Sequence, residues 1–137
     1  MQEYNLDPEV LEKYKKAGKI ASEALSYGRS LIKPGVQVRE VLDKVEEKIF
    51  SLGGKIGFPA QSSLNECAAH YCPDDSDNTV YPEESCVKLD IGVEIDGYIC
   101  DNACSVSLGS KYTELVKAGR AALNNALKLV RPGVQIS

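Results

Sequence analysis

The sequence predicts a mixed α/β (α+β) fold: two helices, a mainly antiparallel sheet, then a third helix. Three observations carry that prediction. Apolar residues recur every three or four positions from Val10 to Ile32 and again from Val38 to Leu52, the spacing of helices with one buried face. From Val87 onward the pattern changes to alternation, interrupted at Asp96-Gly97, a pair that strongly specifies a two-residue type I′ turn. Helical spacing then returns from about Thr113 to Val130.

Each element has a local reason. Asp7-Pro8 places a capping carboxylate before a proline whose fixed φ suits the first helical position. Lys33-Pro34-Gly35 stops that helix, and Gly53-Gly54 stops the second. Short extended pieces are expected around Lys55–Pro59 and Ser62–Ala69. Cys72-Pro73-Asp74-Asp75-Ser76-Asp77-Asn78 reads as a solvated polar loop, because it lacks the Gly and Glu offsets of a calcium loop. In the hairpin, Ile95 should pair with Tyr98, Gly92 with Asp101 and Asp90 with Ala103.

Composition removes several function classes. A chain of 137 residues is one domain at most. Hydrophobic residues make up 43% and charged residues 26%, with net charge −4, which argues against a nucleic-acid footprint. No apolar run approaches the roughly 18 residues of a membrane span. Met1-Gln2-Glu3-Tyr4-Asn5 lacks the pattern of a secretory signal, which points to the cytoplasm. The five cysteines, Cys67, Cys72, Cys86, Cys100 and Cys104, form no Cys-x-x-Cys pair and read as reduced thiols rather than a disulfide framework or a structural zinc site. Cys100 and Cys104 should face the apolar side of the hairpin.

The hairpin carries the chemistry. Residues opposite each other share a face, as do residues two apart on one strand. Asp90 and Asp101 should therefore point the same way as diagonal neighbours, roughly 5–8 Å apart at their β-carbons. Two carboxylates that close repel unless a proton or cation lies between them, and a divalent hard or borderline cation is the natural occupant. Gly92 should leave open space for it. The plainer reading, two solvated aspartates, stands beside this one. Against it, Asp is disfavoured in strands, and Leu89, Ile91, Val93 and Ile95 should bury the opposite face. The one histidine, His70, lies upstream beside a turn at Cys72-Pro73, where it could reach over the hairpin.

An internal repeat accompanies these features. Lys16-Ala17-Gly18-Lys19 recurs as Lys117-Ala118-Gly119-Arg120, and Leu31-Ile32-Lys33-Pro34-Gly35-Val36-Gln37-Val38 recurs as Leu129-Val130-Arg131-Pro132-Gly133-Val134-Gln135-Ile136. Two helices sharing a stop signal would be the modest explanation. A duplicated unit, of which the second copy is cut short, is the simpler one.

Phe58-Pro59, Ser63-Leu64-Asn65, Ala68-Ala69-His70-Tyr71-x-Pro73, Thr79-Val80, Lys88-Leu89-Asp90-x-Gly92, Ile95-Asp96-Gly97 and Asp101 together resemble type 2 methionine aminopeptidases of the archaeal kind. The resemblance runs from about Ala17 to Ser137, and the intervals of twenty residues from His70 to Asp90 and eleven from Asp90 to Asp101 fit it. It implies a pita-bread fold of two pseudo-symmetric halves. Residues 1–108 would be the first half and 109–137 the first helix of a truncated second half. It implies a cofactor of two divalent metal ions (Co, Mn, Fe or Zn), with Asp90 chelating one and Asp101 bridging both. His70 would be catalytic and substrate-binding, contacting the scissile amide, and Phe58 would be substrate-binding, lining the pocket for the methionine side chain. The implied substrate is the N-terminal methionine of peptides and nascent proteins, with no nucleic-acid or membrane partner. The family's remaining ligands, a His and two Glu, have no counterpart here: nothing after His70 is histidine, and Glu114 is the only acid after Asp101. Alone, the chain should therefore be inactive, and a second polypeptide or self-association would complete the fold. Another pita-bread peptidase of the Xaa-Pro type, or a non-catalytic binding module, remains as an alternative at this point.

Overall fold

The computed structural model describes residues 7–135. Met1–Asn5, read above for a secretory signal, and Ile136, the last matched position of the repeat, lie outside them. The element order is α1 (Pro8–Leu31), α2 (Val38–Ser51), β1 (Lys55–Leu64), β2 (Ser85–Ile95), β3 (Tyr98–Leu108) and α3 (Thr113–Leu127).

The helix signals act as their chemistry requires. The Asp7 side chain accepts a hydrogen bond from the Glu9 backbone N–H at 2.8 Å, with Pro8 in the first turn. After α1, Lys33–Val36 closes a turn in which Gly35 takes φ +81°, a conformation that costs a glycine little. Gly53 does the same after α2, also at φ +81°. The third helix ends at Leu127, three residues before the expected Val130, because Lys128 and Leu129 already bond back three positions in a tightened last turn.

The sheet has three antiparallel strands in the order β1-β2-β3. Its central hairpin has the register the sequence predicts: Ile95 pairs with Tyr98, Gly92 with Asp101 and Asp90 with Ala103. Asp96 at φ 50° and Gly97 at φ 88° are the two left-handed residues a type I′ turn needs. The two extended pieces expected around Lys55–Pro59 and Ser62–Ala69 differ from what forms. They are one strand, β1, that ends at Leu64 and turns at Asn65. Irregularities between Ile56 and Phe58 and between Phe58 and Gln61 each place one extra residue on β1 against β2. Such bulges accommodate Pro59, which has no N–H to donate to a ladder. Within this irregular stretch the Ala60 N–H is satisfied instead by the Glu46 carboxylate of α2 at 2.9 Å.

One face of the sheet builds the core. Val87, Leu89, Ile91 and Val93 on β2 are fully buried against Ala17, Ile20, Ala21 and Ala24 of α1 and Val41, Val45 and Ile49 of α2. Burying each large aliphatic side chain contributes roughly 1.5–3 kcal/mol. Gly28 is where helix and sheet come closest, since a Cβ there would lie 2.5 Å from Val45 and 2.7 Å from Leu89. Cys100 and Cys104 are half-buried against this core, on the apolar side as expected. The other face of the sheet carries the aspartates.

Candidate metal centre

Asp90 and Asp101 lie on the face opposite the core, on neighbouring strands of the hairpin. The Asp90 carboxyl is pushed above the usual carboxylate range, first by burial and then by the charge of Asp101. The Asp101 carboxylate is also close enough to accept a hydrogen bond from Asp90 when it is protonated. The His70 imidazole acts on Asp90 in the opposite sense, favouring its ionised form. The structure thus brings the two carboxylates together, with the charge of His70 felt at Asp90.

A cation fits what these residues present. Oδ1 of Asp90 is buried and has no hydrogen-bond partner, which is a costly state for a carboxylate oxygen. Among the described residues, no lysine or arginine forms an ion pair with Asp90 or Asp101. Anionic oxygens with no other neutralising partner are what a divalent ion such as Mg, Mn or Ca accepts as ligands. These two carboxylates are still too few for a complete site. Among the described residues there is no group of three or more His, Cys, Asp and Glu side chains that could hold a metal ion.

The expectation of open space over Gly92 is corrected. A Cβ on Gly92 would lie 2.4 Å from the Phe58 ring. Phe58 pairs with Gly92 across β1 and β2, directly after a bulge, and its ring covers the glycine. Glycine is required there because the aromatic ring occupies the volume, not because an ion does. The consequence is that Phe58, Gly92 and Asp101 form one rung of the sheet, so an apolar wall stands beside the carboxylates.

His70 reaches this face by a route that spacing in the sequence could not show. It lies on the exposed loop after β1, with φ +67°, a region that costs a non-glycine residue about 1–3 kcal/mol. Its backbone N–H donates to Oε1 of Gln61 at 3.1 Å, and Gln61 is the β1 residue paired with Asp90. Asn65 fastens the start of the same loop: its side-chain oxygen accepts from the Cys86 N–H at 3.0 Å, and its own N–H donates to the Cys86 carbonyl at 2.9 Å. Gln61 carried no signal in the sequence. Its part depends on β1 continuing through the gap between the two extended pieces expected from the sequence.

Comparison with known proteins places this geometry in a family. The sequence profile of metallopeptidase family M24 matches residues 12–137, and the chain belongs to that family. It is 47% identical over 132 residues to a methionine aminopeptidase of Archaeoglobus fulgidus, covering 96% of this chain and 45% of that protein. It is 45% identical over 126 residues to one of Pyrococcus horikoshii, covering 92% of this chain and 43% of that protein. The chain thus spans less than half the length of these relatives. Among solved structures, a methionine aminopeptidase from Thermotoga maritima superposes with a TM-score of 0.88 at 30% identity, over 95% of this chain and 56% of that one. A proline aminopeptidase from Yersinia pestis superposes with a TM-score of 0.82 at 22% identity, over 96% of this chain and 31% of that one, a likeness of fold alone. The fold is the pita-bread fold of these proteins, over part of their length.

Proposed function

We propose that this chain supplies part of the active site of a metal-dependent aminopeptidase that removes the N-terminal methionine from nascent proteins. The observation that carries the reading is the unpartnered, buried Asp90 oxygen beside Asp101, in a chain 44–47% identical to several archaeal methionine aminopeptidases. Asp90 and Asp101 would be among the residues that hold two divalent ions (Co, Mn, Fe or Zn). The chemistry such ions would supply when bound is a lowered pKa for water, so that hydroxide is available at neutral pH as the nucleophile, and polarisation of the scissile carbonyl. His70 contacts the scissile amide by hydrogen bonding and helps stabilise the charge that develops in the transition state. Phe58 presents an apolar surface to the methionine side chain. The remaining ligands come from beyond this sequence, supplied by a second polypeptide or a further segment, so the chain alone binds metal weakly and does not turn over peptide. The Xaa-Pro alternative has only a likeness of fold in its favour.

The test is a chimera joining this chain to the remaining portion of the Archaeoglobus fulgidus relative. The expected result is metal-dependent release of methionine from a peptide with a small second residue, lost in Asp101→Asn. A chimera that is folded and metal-loaded but inert, beside an active parent, would refute the proposal.

A further inference from the structure

The loop that carries His70 is locked by a neighbour to which the proposed reaction gives no role. Tyr71 is half-buried against the core. Its backbone is held on both sides: its N–H donates to the Ser63 hydroxyl at 3.2 Å, and its carbonyl accepts from the Ser62 N–H at 3.0 Å. Its phenol donates to the Asp77 carboxylate, and the Thr79 hydroxyl lies 2.9 Å from the same phenol oxygen, placed to donate to it. The other Asp77 oxygen accepts from the Thr79 N–H at 2.8 Å. Tyr71 and Thr79 hold the Asp77 carboxyl below the usual carboxylate range, so it stays ionised and a strong acceptor.

The far end of this network is rigid. The Thr79 carbonyl accepts from the Val38 N–H at 2.9 Å, and Tyr81 exchanges backbone hydrogen bonds with Gly35 and Val36. Tyr81 is fully buried, and burial pushes its phenol up to about 12. It therefore stays protonated and donates to the Ser62 hydroxyl at 3.0 Å. Ser62, in turn, bonds the Tyr71 carbonyl. His70 is thus clamped between Gln61 on one side and Tyr71 on the other, and Tyr71 is anchored to two fixed parts of the fold.

We propose that Tyr71 is a positioning residue for His70: its phenol, locked by Asp77 and Thr79, keeps His70 in its left-handed backbone conformation beside Gln61, the residue paired with Asp90. The proposal rests on the reading of His70 as the group that meets the scissile amide. It explains why an exposed residue holds a conformation that a free loop would abandon. The polar loop from Cys72 to Asn78, which in the sequence reads as merely solvated, acquires a structural role, because it delivers Asp77 to the phenol.

The test uses the 137-residue chain, isotopically labelled, in which His70 is the only histidine. Backbone couplings report the φ of His70, and relaxation reports its fast motion. The native chain should show positive φ and an order parameter of about 0.85 at His70. Tyr71→Phe, which keeps the ring and removes the hydroxyl, should lower that order parameter below about 0.6 and return φ to negative values. The amides of Leu89 to Val93 should stay unshifted. Asp77→Ala, on the loop and outside the core, should do the same, and serves if Tyr71→Phe fails to fold. A merely structural Tyr71 would lower the melting temperature and leave His70 signals unchanged, and that result overturns the proposal. Failure of the aminopeptidase reading shows elsewhere, as an inert chimera, and does not alter the result for His70.

Discussion

Helices α1 and α3 carry the same short repeat, end in the same turn, and meet opposite surroundings. Gly35 and Gly133 take φ +81° and +85°, and in both turns the residue after glycine bonds back to the residue before proline, Val36 to Lys33 at 3.2 Å and Val134 to Arg131 at 3.3 Å. Local sequence has produced the same local structure twice. Yet α1 buries Ala17, Ile20, Ala21, Ala24, Leu25 and Gly28, while α3 buries nothing. Leu115, Leu123, Leu127, Leu129 and Val130 are all more than 45% exposed. The turn after α1 is tied to Thr79 and Tyr81, and the second turn has no such partners among the described residues. Capping and turn chemistry are properties of a segment; burial belongs to what the segment finds to pack against.

That contrast can be pressed by substitution, with urea unfolding as the measurement. The largest difference is expected between Ile20→Ala, which opens a cavity in the core and should cost about 2–5 kcal/mol, and Leu123→Ala, which should change stability by less than about 0.5 kcal/mol. Equal costs would show that α3 packs as α1 does. Glycines sharpen the comparison. Gly28→Ala should cost about 1–2 kcal/mol net, because its methyl meets Val45 and Leu89 and overpacking outweighs the gain in helix propensity. Gly119, with nothing within 4 Å of a Cβ, should give the opposite sign: Gly119→Ala should stabilise by about 0.5–1 kcal/mol.

The smallest effect belongs to the aspartate face. Burial and the Asp101 charge raise Asp90 above its ordinary value of 3.8. The ionised form is therefore disfavoured in the folded chain, and the sign follows. The contribution of Asp90 to metal-free stability should be full below its ordinary value and should be lost as pH rises through its raised one. Asp101→Asn removes the repulsion and should raise the melting temperature at pH 7 by about 1–3 °C, a gain that fades at acid pH. A variant less stable than the parent at pH 7 would mean that the two charges do not oppose one another.

The hairpin was legible in the sequence because its determinants are local. Asp96-Gly97 sets the turn, the turn sets the register, and the register puts Asp90 and Asp101 on one face opposite Leu89 and Ile91. The helices were legible for the same reason, through Asp7-Pro8, Pro34-Gly35 and Gly53. What escaped depends on contacts between distant segments. The stretch after α2 read as two extended pieces, the first ending at Pro59, whereas a bulged edge strand carries on through the proline. Gly92 read as room for an ion, whereas Phe58, thirty-four residues earlier, fills that room. The tethers from Gln61 and Tyr71 to the His70 loop depend on bonds no spacing rule predicts.

The central claim is that Asp90 and Asp101 form one wall of a cation site. It is tested most directly by titrating Mn²⁺ into the labelled chain and following paramagnetic broadening of backbone amides. The account predicts weak binding, with broadening centred on Asp90, Gly92, Asp101 and His70 and abolished by Asp101→Asn. Broadening that instead gathers on the acidic loop around Asp74 and Asp75, or that survives Asp101→Asn unchanged, would contradict it.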